Sequence, residues 1–221
     1  MKHIVGKVVL LGYQGVGKTS TVTRYVENTF NHHVTPTVGA SFFSCKIKVD
    51  ENYVTLQIWD TAGQERFKAM APMFYRNANA ALLVFDITSP TSFEGMKMWV
   101  QEVKRNVEEA MVLCVVGNKT DLNDQRKVSR EEAIEYSRSI GAIYLESSAL
   151  TDQGTGLIFE KIAQELLKLS GEGSSSTLKV FDNDFMAKSS ELEATDIGTE
   201  ENVNLSIGSI AHGNSVQSRC C

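Results

Sequence analysis

Residues 12–19 of the chain read Gly12-Tyr13-Gln14-Gly15-Val16-Gly17-Lys18-Thr19. The stretch follows an apolar run, Val8–Leu11, and opens a segment with helical periodicity. Glycines let backbone N–H groups converge on an anion without a Cβ in the way, and the start of a helix adds its positive end. In such a loop Lys18 reaches the β- and γ-phosphates, and Thr19 offers a hydroxyl to Mg²⁺. The sequence therefore predicts a site for a nucleoside triphosphate of unspecified base.

The 221 residues divide into two parts by pattern and by charge. Strand-length apolar runs alternate with helix-length amphipathic segments as far as Ser170. Residues 171–221 are rich in Ser, Gly, Asp, Glu and Asn, and their three basic and eight acidic side chains account for the whole net charge of −5. We therefore predict a domain over 1–170 and a disordered tail over 171–221. The patch Phe181–Met186 is either a short partner motif or incidental.

Within the domain, apolar runs and amphipathic segments predict an α/β fold. The predicted strands are 4–11, 41–49, 53–60, 80–86, 111–117 and 142–146. The predicted helices are 18–28, 91–106, 130–140 and 155–169. Asp50-Glu51-Asn52 joins the second and third strands as an antiparallel hairpin. The remaining alternation predicts a six-stranded, mostly parallel sheet with helices on both faces, and ligands in such sheets bind beyond the carboxyl ends of the strands.

The composition disfavours several classes of protein. Residues 1–170 carry balanced charge, so there is no basic face for a nucleic acid. No apolar run reaches the length of a membrane span, and the residues after Met1 lack the layout of a signal peptide. We therefore expect synthesis in the cytosol with reduced thiols, in which Cys45 and Cys114 act as small buried hydrophobes.

A second motif, Asp60-Thr61-Ala62-Gly63-Gln64, follows the third predicted strand. An Asp at a strand end beside the phosphate loop is placed to hold Mg²⁺, directly or through water. The N–H of Gly63 can approach a γ-phosphate, and Gln64 can orient a water in line with it. Thr37, after Pro36, could close over Mg²⁺ when the γ-phosphate is present. Taken singly, these motifs are also explained as a capped loop and a proline-led turn.

Two further motifs follow the last two predicted strands. In Asn118-Lys119-Thr120-Asp121 the carboxylate can accept two hydrogen bonds from the N1–H and N2–H₂ edge of guanine, which adenine lacks. The turn Glu146-Ser147-Ser148-Ala149 could present the Ala149 N–H to the guanine O6. Alone, each is also explained as a polar turn or a helix cap. Together, and in this order, they favour guanine.

This ordered set of motifs resembles that of the Ras-like small GTPases over residues 5–170. Thr37–Phe42 is similar to switch I of the Rab branch and Trp59–Phe67 to its switch II, while Ala71–Arg76 is similar to the endosomal subgroup. The resemblance implies a P-loop NTPase G domain that binds GTP or GDP with Mg²⁺ and hydrolyses GTP, slowly without an activating protein. It further implies a switch that recruits effectors in its GTP form to direct vesicle or endosomal traffic.

The resemblance also implies roles for the matched residues. The nucleotide-binding set is Gly15, Val16, Gly17, Lys18, Thr19, Ser20, Phe30, Gly63, Asn118, Lys119, Asp121, Ser148, Ala149 and Leu150. The implied metal ligands are Thr19, Thr37 and Asp60, and the implied catalytic residues are Gln64, Lys18 and Gly63. Phe30 would stack edge-on against the guanine. The aromatic triad that Rab effectors read corresponds to Phe42, Trp59 and Phe74, with Phe74 in place of the usual Tyr.

The chain also departs from the family pattern. Gln14 stands where Ras has Gly, and its side chain could crowd Gln64 or an incoming arginine finger. The alternative function is therefore a slow-hydrolysing, GTP-bound platform for effectors. Leu150 replaces the usual Lys over the base but still offers an apolar surface, and Asn77 replaces a Gly near switch II. An ATP-dependent kinase or ATPase is disfavoured by Asp121.

The final Cys220-Cys221 is similar to a Rab ending, which normally carries two geranylgeranyl chains; the alternative is a stray reactive pair. One lipid chain anchors only marginally, and an acidic tail is repelled by an anionic leaflet at about 1 kcal/mol per charge, so the second chain supplies the second signal. The family implies an exchange factor, a GTPase-activating protein, effectors, a prenyl-protein escort and a GDP-dissociation inhibitor as partners. We expect a monomer on the cytoplasmic face of endosomal or other vesicular membranes, cycling with a cytosolic pool.

Overall fold

The computed structural model describes residues 1–33, 35–63, 71–107, 109–171 and 177–182. The strands are β1 (Lys2–Leu11), β2 (Ala40–Val49), β3 (Asn52–Thr61), β4 (Ala80–Asp86), β5 (Val112–Asn118), β6 (Ile143–Ser147) and β7 (Lys179–Asp182). The helices are α1 (Lys18–Glu27), α2 (Ala71–Tyr75), α3 (Pro90–Asn106), α4 (Arg130–Ser139) and α5 (Thr155–Gly171). A 3₁₀ helix, Thr120–Gln125, follows β5.

The main path of the sheet runs in the order β2-β3-β1-β4-β5-β6. Neighbours along it are parallel except β2 and β3, which form the predicted antiparallel hairpin. Val49 pairs with Asn52 beside the turn, and Asp50 takes a left-handed φ of 51°, which Asp tolerates better than most residues. The parallel strands bring their carboxyl ends, and the motifs that follow them, to one edge of the sheet.

Helices cover both faces of the sheet, and β4 in its middle is therefore buried along its whole length. On one face α5 contributes Ile158 and Phe159 to an apolar core, against which Tyr25 of α1 stacks on Phe159 at 4.3 Å between ring centroids. On the other face α3 contributes Phe93 and α4 contributes Ala133. The predicted α/β fold, a mostly parallel sheet with helices on both faces, is confirmed.

The starts of α3 and α4 follow from their sequences. Ser89 precedes α3, and its hydroxyl accepts a hydrogen bond from the N–H of Ser92, while Pro90 occupies the first turn where no donor is needed. Ser129 caps α4 in the same way by accepting from the N–H of Glu132. These caps agree with the predicted helix starts at 91 and 130.

The six predicted strands and four predicted helices all form, each within two residues of its predicted bounds. Two short helices were not predicted, α2 and the 3₁₀ helix Thr120–Gln125. Each spans six residues or fewer, which is too short to show a helical period in the sequence.

A seventh strand corrects the predicted six-stranded sheet. β7 pairs antiparallel with the first half of β1, with Lys2 opposite Asp182 and Val5 opposite Lys179. Leu178, just before it, is 8% exposed and belongs to the core that α5 builds. Composition assigned these residues to the tail, because one buried leucine does not change the average of a polar stretch. The tail beyond Asp182 lies outside the described residues, and its disorder stays a prediction.

The two cysteines of the domain lie in apolar surroundings. Burial raises the pKa of the Cys114 thiol to about 12 and that of the half-buried Cys45 thiol to about 11. Both thiols are therefore protonated and serve packing, as expected. Within the part of the chain that the structure describes, no helix is both long enough and apolar enough to span a bilayer.

Candidate nucleotide-binding site

The phosphate loop between β1 and α1 needs glycine at two positions. Gly12 and Gly17 have φ values of 150° and 93°. A Cβ on Gly12 would collide with the carbonyl oxygen of Val84, and one on Gly17 with the carboxamide of Asn118. That carboxamide donates a hydrogen bond to the Val16 carbonyl at 2.8 Å. The loop is thereby fixed against the end of β5, where the base-reading motif begins.

Lys18 opens α1, and its ammonium folds back into the loop. Its Nζ donates to the carbonyl oxygens of Gly12 at 2.9 Å and Tyr13 at 3.1 Å. Burial lowers the pKa of Lys18 to about 8, although the nearby charge of Asp60 acts in the opposite direction. A buried ammonium with only carbonyl partners is set to gain from an anionic ligand such as a phosphate.

The predicted metal ligands meet beside the lysine. The hydroxyl of Thr19 donates to Asp60 Oδ2 at 2.6 Å and lies 2.9 Å from the hydroxyl of Thr37. Asp60 Oδ1 is buried and has no hydrogen-bond partner among the described residues. Burial raises the pKa of Asp60, partly offset by the hydrogen bond from Thr19 and the charge of Lys18. An orphaned carboxylate oxygen beside two hydroxyls fits Mg²⁺, which prefers hard oxygen ligands.

The carboxylate predicted to read the base, that of Asp121, lies at the ends of β5 and β6. Asp121 Oδ1 accepts a hydrogen bond from the hydroxyl of Ser148 at 2.5 Å. Asn118 is buried, and its Oδ1 accepts from the hydroxyl of Ser147 at 3.2 Å. The hydroxyls of the two serines thus orient the side chains of Asp121 and Asn118. Asp121 is exposed and lines the cavity.

Lys119 is held by a carboxylate that sequence reasoning missed. Its Nζ pairs with Asp86 Oδ2 at 2.6 Å, and its backbone takes a left-handed φ of 69°. Burial alone would raise the pKa of Asp86, but hydrogen bonds from Lys119 and from Thr88 outweigh it and the pKa is lowered. Asp86 ends β4, so its position after an apolar strand was the available signal.

Arg24 is a second residue that sequence reasoning missed. From the last turn of α1 its guanidinium donates to the carbonyl oxygens of Ala149 at 2.9 Å and Leu150 at 3.1 Å. The same guanidinium lies 5.7 Å from the ring centre of Phe30. Arg24 therefore joins the loop after β6 to the segment after α1, on both sides of the expected base.

A cavity of about 400 Å³ opens between these groups. It is lined by Gln14, Gly15, Gly17, Lys18, Thr19, Ser20, Phe30, His32, Thr35, Pro36, Thr37, Gly63, Asn118, Lys119, Asp121, Ala149 and Leu150. Three predicted site residues lie behind this lining, and each is bonded to a residue of it: Val16, Asp60 and Ser148. Gln64 lies outside the described residues. His32 and Thr35 line the cavity without belonging to any predicted motif.

Gly63 brings the second motif onto the phosphate loop. A Cβ there would lie 2.5 Å from Lys18 Nζ and 2.7 Å from the backbone N of Gln14. The N–H of Ala62 donates to the carbonyl of Gly39 at 2.9 Å, which links the segments before β2 and after β3. Gln14 is exposed on the cavity side.

The predicted effector triad forms a continuous aromatic surface. Phe42 packs edge-on against Trp59 at 5.3 Å between ring centroids, and Trp59 lies 6.1 Å from Phe74. Phe42 is 53% exposed. Lys7 Nζ lies 5.5 Å from the Trp59 ring centre, on the side toward β1. The lipidation residues Cys220 and Cys221 lie outside the described residues.

The sequence model of the Ras family matches residues 7–168, the stretch that carries every contact of the cavity. The chain belongs to the Ras family. It is 44% identical over 176 residues to human Ras-related protein Rab-31, covering 79% of this chain and 90% of that protein. It is 46% identical over 165 residues to RABF2b of Arabidopsis thaliana, covering 75% of this chain and 82% of that protein.

A third relative, mouse Rab-21, is 41% identical over 197 residues, covering 83% of this chain and 89% of that protein. These relatives confirm the predicted resemblance to the Rab branch and, within it, to the endosomal subgroup. As a Ras-family G domain the chain is a small GTPase, and GTP and GDP are the family's nucleotides. Its Rab relatives support a role in membrane traffic.

Proposed function

We propose that the chain is a Rab-type switch that hydrolyses GTP, recruits effectors in its GTP form and directs vesicle or endosomal traffic. One observation carries the proposal. Lys18 and Asp121, one suited to phosphate and the other to guanine, line the same cavity of about 400 Å³. A pocket with Lys18 alone would fit a nucleotide of any base. A pocket with Asp121 alone would fit a guanine base without phosphates.

At the base end, Asp121 selects guanine. The hydrogen bond from Ser148 leaves the rest of the carboxylate free to accept from N1–H and N2–H₂. Adenine would leave that carboxylate unpaired, and a site built around such a pairing rejects the wrong ligand strongly. Asn118, Lys119, Ala149 and Leu150 complete the base site.

At the phosphate end, Lys18 exchanges its two carbonyl partners for β- and γ-phosphate oxygens. Thr19, Thr37 and Asp60 would hold Mg²⁺, which supplies neutralising charge to the phosphates when bound. The hydroxyl of Thr37 is available only while the segment before β2 stays closed against Thr19. Loss of the γ-phosphate would release that segment, which is the structural event of the switch.

Hydrolysis proceeds by attack of water on the γ-phosphorus. The bond from that phosphorus to the β–γ bridging oxygen breaks, so the products are GDP and inorganic phosphate. The N–H of Gly63 and the ammonium of Lys18 stabilise the negative charge, and Gln64 orients the water. The alternative function, a slow-hydrolysing platform, rests on Gln14, which is exposed at the cavity beside Gly63.

The proposal is tested by nucleotide competition and single-turnover hydrolysis on the full-length chain. GTP should displace a fluorescent GDP analogue, and ATP should fail at a thousandfold higher concentration, consistent with the rejection such sites achieve. Gln64→Leu should slow hydrolysis about tenfold or more. Gln101→Leu, an exposed site on α3, makes the same chemical change away from the cavity and should leave the rate unchanged.

The hydrolysis rates of the wild type and the glutamine variants distinguish the switch from the platform. If wild type and Gln64→Leu hydrolyse GTP equally slowly, with and without an activating protein, and Gln14→Gly accelerates the reaction, the platform function replaces the switch. Equal displacement by ATP and GTP would reject both.

The remaining partners follow from the Rab-type function. Phe42, Trp59 and Phe74 would form the surface that effectors read. An exchange factor and an activating protein would act on the segments around Thr37 and Gly63. A prenyl-protein escort and a GDP-dissociation inhibitor would handle the lipidated tail, with two geranylgeranyl groups on Cys220 and Cys221. The protein would act as a monomer on endosomal or other vesicular membranes, with a cytosolic pool and without nucleic acid.

A further inference from the structure

Residues 177–182, here called the strap, return to the sheet after α5. The strap lies along β1 at Lys2–Val5, on the edge that β4 occupies further along at Val8–Leu11. Leu178 fits over Gly6, where a Cβ would lie 3.5 Å from its Cδ1 atom. Val180 and Phe181 remain 41% and 42% exposed. One short strand with one buried side chain is an attachment that can open without unfolding the domain.

The first residue of the strap, Thr177, is hydrogen-bonded to the segments that precede β4 and β5. The hydroxyl of Thr177 accepts a hydrogen bond from Asn79 Nδ2 at 2.9 Å and donates to Glu109 Oε2 at 3.1 Å. Asn79 is buried and immediately precedes β4. Its Oδ1 accepts from the N–H of Lys7 at 2.8 Å, and its own N–H donates to the Lys7 carbonyl at 2.8 Å. Asn79 therefore joins the strap to the middle of β1.

From Lys7 the contacts continue to the effector surface. Lys7 Nζ donates to the carbonyl of Arg76 at 2.8 Å, just after α2, and lies 5.5 Å from the Trp59 ring centre. Lys7 is half-buried, and this burial lowers the pKa of its ammonium. The segment Arg76–Asn79, here called the corner, follows the helix that bears Phe74. One set of contacts thus runs from the strap through Asn79 and Lys7 to Trp59 and to Arg76, which follows the helix that bears Phe74.

We propose that the strap is a reversible latch whose docking on β1 is coupled, through Asn79 and Lys7, to the corner and so to the aromatic surface. Docked, the strap holds the Asn79 carboxamide and keeps Lys7 on Arg76 and Trp59. When a pull on the chain beyond Asp182 draws the strap away, the Asn79 carboxamide loses the Thr177 hydroxyl and the corner loosens. Coupling of this kind is reciprocal, so a ligand that stiffens the corner also favours the docked strap. The effector part of this inference rests on the proposed function.

The coupling is tested by hydrogen-exchange mass spectrometry on the full-length, GDP-bound chain. Leu178→Asp places a charge in the core site and should release the strap. Exchange should then rise about tenfold or more at the strap, at Lys2–Val5, and at the corner amides of Ala78 and Asn79. Leu157→Asp, at an exposed position on α5, is the matched control and should change none of these.

A second variant separates docking from coupling. Thr177→Val keeps the size of the side chain and the strand pairing but removes the hydroxyl that Asn79 contacts. The strap should stay protected while the corner exchanges faster. An unprotected strap in the wild type would overturn the docking. Faster exchange at the strap alone in Leu178→Asp, with the corner unchanged, would overturn the coupling.

The same samples distinguish this inference from the proposed function. Binding of a fluorescent GDP analogue is measured for the wild type, Leu178→Asp and Thr177→Val. Neither substitution alters a residue that lines the cavity. If the chain does not bind the GDP analogue, the proposed function fails, while the exchange pattern of the nucleotide-free wild type and variants still decides the latch. If the GDP analogue binds normally and exchange at the corner does not change when the strap is released, only the proposed latch fails.

Discussion

Asp121 shows how a single side chain is oriented for its proposed role in the absence of a ligand. Its carboxylate is oriented by the hydroxyl of Ser148 at 2.5 Å and lies on the first turn of the 3₁₀ helix after β5. The orienting partner follows a different strand, so the position of Asp121 depends on the pairing of β5 with β6. A carboxylate fixed in this way needs little reorganisation when it meets a base.

We expect Asp121→Asn to exchange guanine for xanthine selectivity. The carboxamide offers a donor where the carboxylate accepted, so GTP affinity should fall about a hundredfold or more while xanthosine triphosphate gains. The measurement is competition of both nucleotides against a fluorescent analogue. Asp124→Asn, exposed on the same 3₁₀ helix, makes the same charge change and should leave both affinities intact. An unaltered preference in Asp121→Asn would remove this residue from the base site.

Asp86 gives a prediction for the dependence of stability on pH. Because the pKa of Asp86 is lowered in the folded state, its ionised form stabilises the fold above about pH 3.9, its ordinary pKa, and this contribution is lost as pH falls through the lowered value. Asp86→Asn should therefore cost about 2 kcal/mol at pH 7, and the difference from wild type should shrink near pH 3. Urea unfolding at the two pH values measures it. A difference that is the same at both would contradict the ionic role.

Residues with a characteristic neighbour in sequence were predictable, and residues with a distant partner were not. Lys18, Asp60 and Asp121 follow strands at spacings that only a nucleotide site explains well. Arg24 stands 125 residues from Ala149, whose carbonyl it contacts, so only the fold reveals that contact. Asp86 carried a weak signal at the end of β4, but its partner Lys119 was already assigned to the base.

At the scale of elements, the packing of β1 against α5 depends on Gly6. A Cβ there would come within 2.7 Å of the Leu166 Cδ1 atom, and Leu166 is fully buried. Leu166 has little room to move, because Leu178 also lies against the Cβ position of Gly6, at 3.5 Å, in the same core. A glycine inside a strand usually weakens it, but here it allows a helix and the strap to approach.

Two matched Gly→Ala substitutions test this packing. Gly6→Ala should lower the free energy of unfolding by about 1 kcal/mol through overpacking. Gly156→Ala, in the first turn of α5 with no atom near the new methyl, should raise it by about 0.5–1 kcal/mol through helix propensity. Chemical denaturation of both variants provides the measurement. If Gly6→Ala also stabilised the protein, Leu166 and Leu178 would have to move aside for the new methyl group without cost.

The elements themselves were predictable in proportion to their length. The fully buried β4 gives a continuous apolar run in the sequence, and the 17-residue helices α3 and α5 give helical periods. β7 has four residues in a polar context, and only its contact with β1 makes it a strand. Local sequence cannot report a contact with a segment that lies almost the whole domain away.

At the scale of the whole molecule, the charge is divided between a neutral domain and an acidic tail. Residues 171–221 hold eight acidic and three basic side chains. The cytoplasmic leaflet is negatively charged, so this tail opposes membrane contact where a basic tail would assist it. Under the proposed function, membrane attachment would then depend on hydrophobic anchoring, for which Cys220-Cys221 would provide two sites.

We expect Cys220→Ser with Cys221→Ser to make the protein fully soluble, whereas a single Cys→Ser variant should bind membranes weakly and reversibly, because one chain anchors marginally. Reversing the charge of Glu191, Glu193 and Asp196 to Lys should tighten attachment of the singly anchored form, and added salt should weaken that gain because it screens surface charge. Flotation of cell membranes that carry each variant measures all three effects. The charge reversal without any cysteine is the control, since electrostatics alone should not hold the protein during flotation. Full flotation of the double Ser variant would overturn the lipid anchor and indicate a protein receptor for the domain or the tail.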